Sequence, residues 1–289
     1  MTRRALPALP ALLAPLLLLP LAGCPKLGAL GDALAKYRPT VDFKEFKLRD
    51  ISFDRADVDF TFEVRNPNPL EVNFSSFSYN LDLANHPFFD GVNPKGLHLE
   101  AKGLSELTVP VSVTFVDLLK TAGDIQGEDT VPYTFAGDFG FNTPLGELKI
   151  PFSKSGDFPV LRAPRLKLSK LRLDNFNLAD QSARIELDLN LSHDQGSNLS
   201  FENFDYGLTL DGRSVATGRL RQLATVSAGQ EKTVTLPVNL SLVDLGAALV
   251  NTLRNKSPVQ VGLTASTDVG TPFGSVPWSL ERSKRLSFQ

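Results

Sequence analysis

The chain repeats itself, and a repeat must be folded by rules that serve both copies. "ADVDFTFEV" at 56–64 aligns with "ARIELDLNL" at 183–191, an offset of 127 residues. At the same offset Phe74, Phe77, Tyr79, Leu81 and Leu83 fall on Phe201, Phe204, Tyr206, Leu208 and Leu210, and "VPVSVTFVDL" at 109–118 falls on "LPVNLSLVDL" at 236–245. "TPLG" at 143–146 meets "TPFG" at 271–274 at an offset of 128, and "VDFKEFKL" at 41–48 meets "LKLSKLRL" at 166–173 at 125. Drifts of a residue or two are what loop insertions leave. A chain of 289 residues is long enough for two domains of ordinary size.

Each copy reads as strand. Val58, Phe60, Phe62 and Val64 alternate with Asp59, Thr61 and Glu63, and Ile185, Leu187, Leu189 and Leu191 alternate with Glu186, Asp188 and Asn190. Period two is the signature of a half-buried strand. The next strand changes parity between Phe74 and Phe77, and its counterpart does so between Phe201 and Phe204. The opening strands slip likewise, between Phe43 and Phe46 and between Leu168 and Leu171. One extra residue that restores an apolar face predicts a β-bulge. Pro110 and Pro237 cannot donate to a ladder and predict edge strands or strand starts. "VDL" follows each, with Asp117 and Asp244 expected as helix N-caps, so each copy should carry one short helix. Twenty phenylalanines and 42% hydrophobic residues suit packed sheet cores. The expected fold is all-β, two tandem β-sandwiches, with Pro159 and Pro164 bracketing the linker.

The N-terminus, "MTRRALPALPALLAPLLLLPLAGC", carries two arginines, an apolar run and small residues, the parts of a secretory signal peptide. Pro7, Pro10, Pro15 and Pro20 interrupt the run, which falls short of the ~20 residues a spanning helix needs. The small residues end at Cys24, the only cysteine. Leu21-Ala22-Gly23-Cys24 resembles the lipobox of bacterial lipoproteins, which implies cleavage before Cys24 and lipid attachment to its thiol. The expected organisation is a signal peptide at 1–23, a lipidated tether at 24–39, and sandwiches at 40–160 and 165–289. Pro25 rather than Asp after the cysteine favours the outer membrane, by analogy with Gram-negative sorting. With Cys24 acylated, no thiol remains for a disulfide, a nucleophile or a metal.

"RNPNP" at 65–69 maps at the offset of 127 onto Ser192-His193-Asp194-Gln195-Gly196. Prolines and asparagines are both lost in the second copy, whereas turn formers remain, since Asp and Gly favour turns as Asn and Pro do. The segment is therefore expected to be a turn first. "RNPNPLEVNFSSFSYNLDL" resembles the N-P-N segment of the late embryogenesis abundant type 2 family, also called the water-stress and hypersensitive-response (WHy) domain. The motif matches at Asn66, Pro67 and Asn68 in the first copy only. The resemblance implies immunoglobulin- or fibronectin-III-like sandwiches of about seven strands with one short helix, a link to desiccation or other stress, and no known catalysis.

Catalytic and metal signatures are missing. His86, His98 and His193 form no H-x-x-x-H or H-E-x-x-H pattern, and no nucleophile elbow, Walker or dinucleotide motif occurs. No cofactor is expected. A net charge of −2 gives no basic excess for nucleic acid. Asp57, Asp59, Glu63, Glu186 and Asp188 read as a solvated outer face, because same-face neighbours sit about 6.5–7 Å apart. Arg162, Arg165, Lys167, Lys170, Arg172, Arg282, Lys284 and Arg285 could meet anionic headgroups, but Lys167, Lys170 and Arg172 also read as the polar side of an alternating strand. The expectation is a non-enzymatic envelope lipoprotein that protects under water stress, with the membrane as its partner. The alternative is a module binding an envelope protein or a lipid.

Overall fold

The computed structural model describes residues 38–289 apart from 94–97, 122–124, 126 and 144–145. Cys24, the expected signal peptide and nearly all of the expected tether lie outside the described residues.

The first copy contains β1 (Thr40–Ile51), β2 (Arg55–Arg65), β3 (Val72–Leu83), β4 (His86–Asn93), β5 (His98–Leu99), β6 (Leu104–Thr114), β7 (Thr130–Thr143) and β8 (Gly146–Pro159). A helix, α1 (Phe115–Thr121), follows β6. The second copy contains β9 (Arg165–Asn177), β10 (Ser182–Ser192), β11 (Leu199–Leu210), β12 (Arg213–Val226), β13 (Glu231–Ser241), α2 (Leu242–Arg254), β14 (Val259–Thr271) and β15 (Gly274–Leu286). One sheet of each sandwich has three strands, ordered β1-β2-β6 and β13-β10-β9. The facing sheets are ordered β4-β3-β7-β8, with β5 also on β3, and β12-β11-β14-β15. All ladders are antiparallel. The single strand β12 stands where the first copy has β4 and β5.

Alternation turns one face of every sheet inward. Val58, Phe60, Phe62 and Val64 are buried against Phe77, Phe135 and Phe139 of the opposite sheet, with Phe60 and Phe135 stacked at 4.2 Å. The second core holds Ile185, Leu187, Leu189, Phe201 and Phe204. Each such side chain contributes roughly 1.5–3 kcal/mol by leaving water. Parity slips become register shifts: Phe43/Glu45 in β1 and Phe74/Ser76 in β3, and at Leu168–Leu171 and Glu202/Asp205 in the second copy. Pro110 and Pro237 lie on β6 and β13, both edge strands.

The caps differ from expectation. Asp117 and Asp244 sit in the first turn of their helices, and Thr114 and Ser241 precede those helices. The first helical positions are taken by Phe115 and Leu242, which are buried and must reach the core. Thr114 donates its hydroxyl to Asp117, so the carboxylate serves from within the helix. α2 is broken at Gly246, whose φ of 75° lies outside the helical region.

The outer acidic stripe is not simply solvated. Arg49, Arg55 and Arg65 lie against Asp59, Asp57 and Glu63. The Arg172 guanidinium spans Glu186 at 3.0 Å and Asp188 at 2.6 Å, and Asp188 is buried. Two carboxylates too far apart to share a point cation are bridged by the width of a planar fork.

Candidate functional site

The N-P-N segment joins β2 of one sheet to β3 of the other, so it is a crossover between sheets rather than a hairpin. The stretch 100–103 crosses back from β5 to β6 beside it. Asn66 is fully buried between the two. Its Nδ2 donates to the carbonyls of Leu70 at 3.0 Å and Glu100 at 2.9 Å, with the Leu99 carbonyl at 3.4 Å. Its Oδ1 accepts from the Asn68 backbone N–H at 3.0 Å and from Asn68 Nδ2 at 2.9 Å. The Asn66 backbone N–H donates to Gly103 and the Lys102 N–H donates to Asn68. Every polar atom of the buried amide is thus used. Pro67 fixes φ between the two asparagines, which favours the local Asn66–Asn68 turn. The motif is a clasp that ties two crossovers at one end of the sandwich.

The second copy rebuilds the clasp with a different side chain. His193, 2% exposed, accepts the Gln195 backbone N–H on Nδ1 at 3.2 Å. Its Nε2 lies 3.0 Å from the carbonyl of Val226, the residue 127 beyond Leu99. A carbonyl only accepts and a backbone N–H only donates, so the ring carries its proton on Nε2. Imidazole therefore repeats the two roles of the Asn66 amide. The expected roles of Asp194 and Gly196 need correction. Asp194 pairs with Arg165 at 2.6 and 2.7 Å, and that guanidinium holds its carboxyl below the usual range. Gly196 does not use a positive φ; a Cβ there would stand 2.3 Å from the Gly127 carbonyl oxygen. It is small because the first sandwich is close.

This end of the second sandwich is docked on the first. Gln195 is buried, donating Nε2 to the Val160 carbonyl at 2.7 Å and accepting the Arg162 N–H at 3.0 Å. Asp129 accepts from the N–H groups of Gly196 at 2.9 Å and Ser197 at 3.3 Å, and from the Ser197 hydroxyl. Burial opposes ionisation of Asp129, but the bonds from Ser197, Gln195 and Gly196 outweigh it and hold the carboxyl low. Arg162 donates to the carbonyls of Glu128 and Ile125. Val276 of β15 is buried in the first core, and Phe53 packs against both cores.

The basic cluster divides accordingly. Arg162 serves the joint, Arg165 and Arg172 are paired, and Lys284 donates to the Leu168 carbonyl at 3.1 Å. Lys167, Lys170, Arg282 and Arg285 are exposed. His86 is exposed at the start of β4, and the backbone of His98 pairs with Asn73. Among the described residues no three His, Cys, Asp or Glu side chains converge as a metal site would require. No described helix is long and apolar enough to cross a membrane. Buried histidine as a substitute for buried asparagine was the role the repeat alignment missed, although His193 lies directly under Asn66 in it.

The family model described as late embryogenesis abundant protein (LEA_2) matches residues 61–156 and 194–284, more than half of the chain. The chain belongs to this family. Both copies match, so membership does not depend on the asparagines. Among solved structures, a putative late embryogenesis abundant protein is 24% identical, with 47% of this chain and 79% of that one covered at a TM-score of 0.38. A protein of Arabidopsis thaliana is 22% identical, with 43% and 82% covered at 0.35. One from Archaeoglobus fulgidus is 10% identical, with 43% and 95% covered at 0.31. No curated protein matches the chain.

Proposed function

We propose that this protein is a lipid-anchored, non-enzymatic member of the family, of the WHy type, which protects the bacterial cell envelope during drying or related stress. The observation that carries the reading is the match of both copies to the late embryogenesis abundant model, in a chain whose N-terminal apolar run is followed by the lipobox-like Leu21-Ala22-Gly23-Cys24. The asparagine clasp supports a structural role for the motif, because its amide atoms are consumed in holding the fold and offer no titratable or nucleophilic group. Acyl chains on Cys24 would hold the mature chain at a membrane, at roughly 0.8 kcal/mol per buried CH₂; Pro25 favours the outer membrane, facing the periplasm.

Cells lacking the protein should survive drying less well, and wild type but not Cys24→Ala should restore survival. Equal survival of all strains would remove the protective role. The second reading, a module that binds an envelope protein or a lipid, is tested in the same strains by crosslinking: a defined partner with unchanged survival would favour it.

A further inference from the structure

The two copies present the same end to different neighbours. In the second, the end bearing His193–Ser197 is covered by the first sandwich. In the first, no sandwich among the described residues faces the end bearing Asn66–Leu70, and its side chains differ. Leu70 stands where the second copy has Ser197 and is 69% exposed; Leu104 stands where it has Glu231 and is 52% exposed. Both belong to the Asn66 clasp: Asn66 bonds the Leu70 carbonyl, and its N–H bonds Gly103, next to Leu104. At two positions where the docked end of the second copy carries Ser197 and Glu231, the corresponding end of the first copy carries exposed leucines.

That end does not suit a further sandwich of the same kind. Docking in the second copy needs Gly196 and Gln195; the first copy has Pro69 in place of the glycine, and its Asn68 amide is turned back onto Asn66. A second copy of the chain docking there would also present Ser257 where the first sandwich presents the Asp129 carboxylate, since β14 follows β7 at an offset of 128. The chain enters at this same end. Thr40 pairs with Arg65, and Arg65 pairs with Leu104. Sixteen residues run from Cys24 to Thr40, at most about 55 Å of extended chain. A lipid on Cys24 thus keeps the Leu70–Leu104 end near the bilayer at high effective concentration.

We propose that this end is a membrane-docking surface, with Leu70 and Leu104 seated at the headgroup boundary and the Asn66 clasp holding them in place. The inference rests on the lipid-anchored reading above. Lys102 and Arg65, the latter against Glu63, are exposed beside the leucines, and with Glu71 and Glu100 they leave the surface without a positive excess. Seating therefore depends on the leucines rather than on anionic lipid. Leu178, 55% exposed at the hairpin between β9 and β10, belongs to the opposite end of the second sandwich and stays in water.

The test uses the acylated full-length protein, whose single native cysteine is blocked by lipid, so an introduced cysteine is the only thiol to label. Leu70→Cys, Leu104→Cys and Leu178→Cys are labelled with a fluorophore and reconstituted into phosphatidylethanolamine–phosphatidylglycerol vesicles carrying spin-labelled lipid. Labels at 70 and 104, within the ~5–10 Å depth of an interfacial group, are expected to be quenched severalfold more than the label at 178, with and without the anionic lipid. Intact masses of the same samples report acylation. Acylated, vesicle-bound protein with equal quenching at all three positions, or with 178 quenched most, overturns the docking surface and leaves the anchor standing. A mature chain without lipid overturns the anchor, and the docking surface with it.

Discussion

Replacing Asn66 isolates what the motif does. Asn66→Ala removes one buried amide and leaves the Leu70 and Glu100 carbonyls and the Asn68 N–H without their partner. A buried group left unpaired costs about 1–3 kcal/mol. Leu70 and Glu100 are exposed residues whose carbonyls water can partly reach, so the lower part of that range applies to each. The sum is about 3 kcal/mol. Asn66→Asp keeps the shape but points a carboxylate at two carbonyls and should cost more than alanine, since it buries an unpaired charge. The reciprocal change, His193→Asn, retains an acceptor for Gln195 and a donor toward Val226 and should cost under about 1.5 kcal/mol, whereas His193→Leu should cost about 3 kcal/mol. Urea unfolding followed by intrinsic fluorescence and circular dichroism measures each, with midpoint shifts compared only where slopes agree. A midpoint for Asn66→Ala equal to wild type, or Asn66→Asp more stable than Asn66→Ala, would refute the clasp. Equal losses for His193→Asn and His193→Leu would refute the substitution of imidazole for amide.

Gly196→Ala puts a methyl against the Gly127 carbonyl and should loosen the joint by about 1–3 kcal/mol; faster proteolysis within 160–164, with both sandwiches surviving as fragments, is the expected result. Asp129, Asp188 and Asp194 all have carboxyl pKa values lowered by folding. Their contribution is present at neutral pH and is lost as pH falls below the unfolded value of about 4. Melting temperature should therefore drop below that pH, and less steeply in Asp129→Asn; a flat profile down to pH 3 would contradict this. Phe60→Ala empties a fully buried site stacked on Phe135 and should cost about 3–5 kcal/mol by urea unfolding.

The sandwiches were legible because period-two alternation and its slips occur twice, and a bulge shared at Phe74–Phe77 and Phe201–Phe204 has one explanation. Edge strands followed from Pro110 and Pro237 for the same reason: a missing N–H is a property of the residue alone. What was not legible depended on residues distant in sequence. Asp129 and Gln195 look like ordinary polar loop residues until the joint brings them together, and His193 reads only as part of a turn until Val226 is placed beside it. Helix caps shifted because burial of Phe115 and Leu242 decided where helix begins, and capping preference is weaker than core burial. Arg172 bridges a pair of carboxylates that strand spacing alone places too far apart, since spacing takes no account of the size of a guanidinium.

Envelope protection of the kind proposed requires the lipid anchor at Cys24. The most direct measurement is the intact mass of the mature protein purified from membranes, with Cys24→Ala in parallel. A chain beginning at Cys24 with the added mass of two or three acyl chains, absent from the variant together with membrane retention, is the expected result. An unmodified chain in the soluble fraction would contradict it.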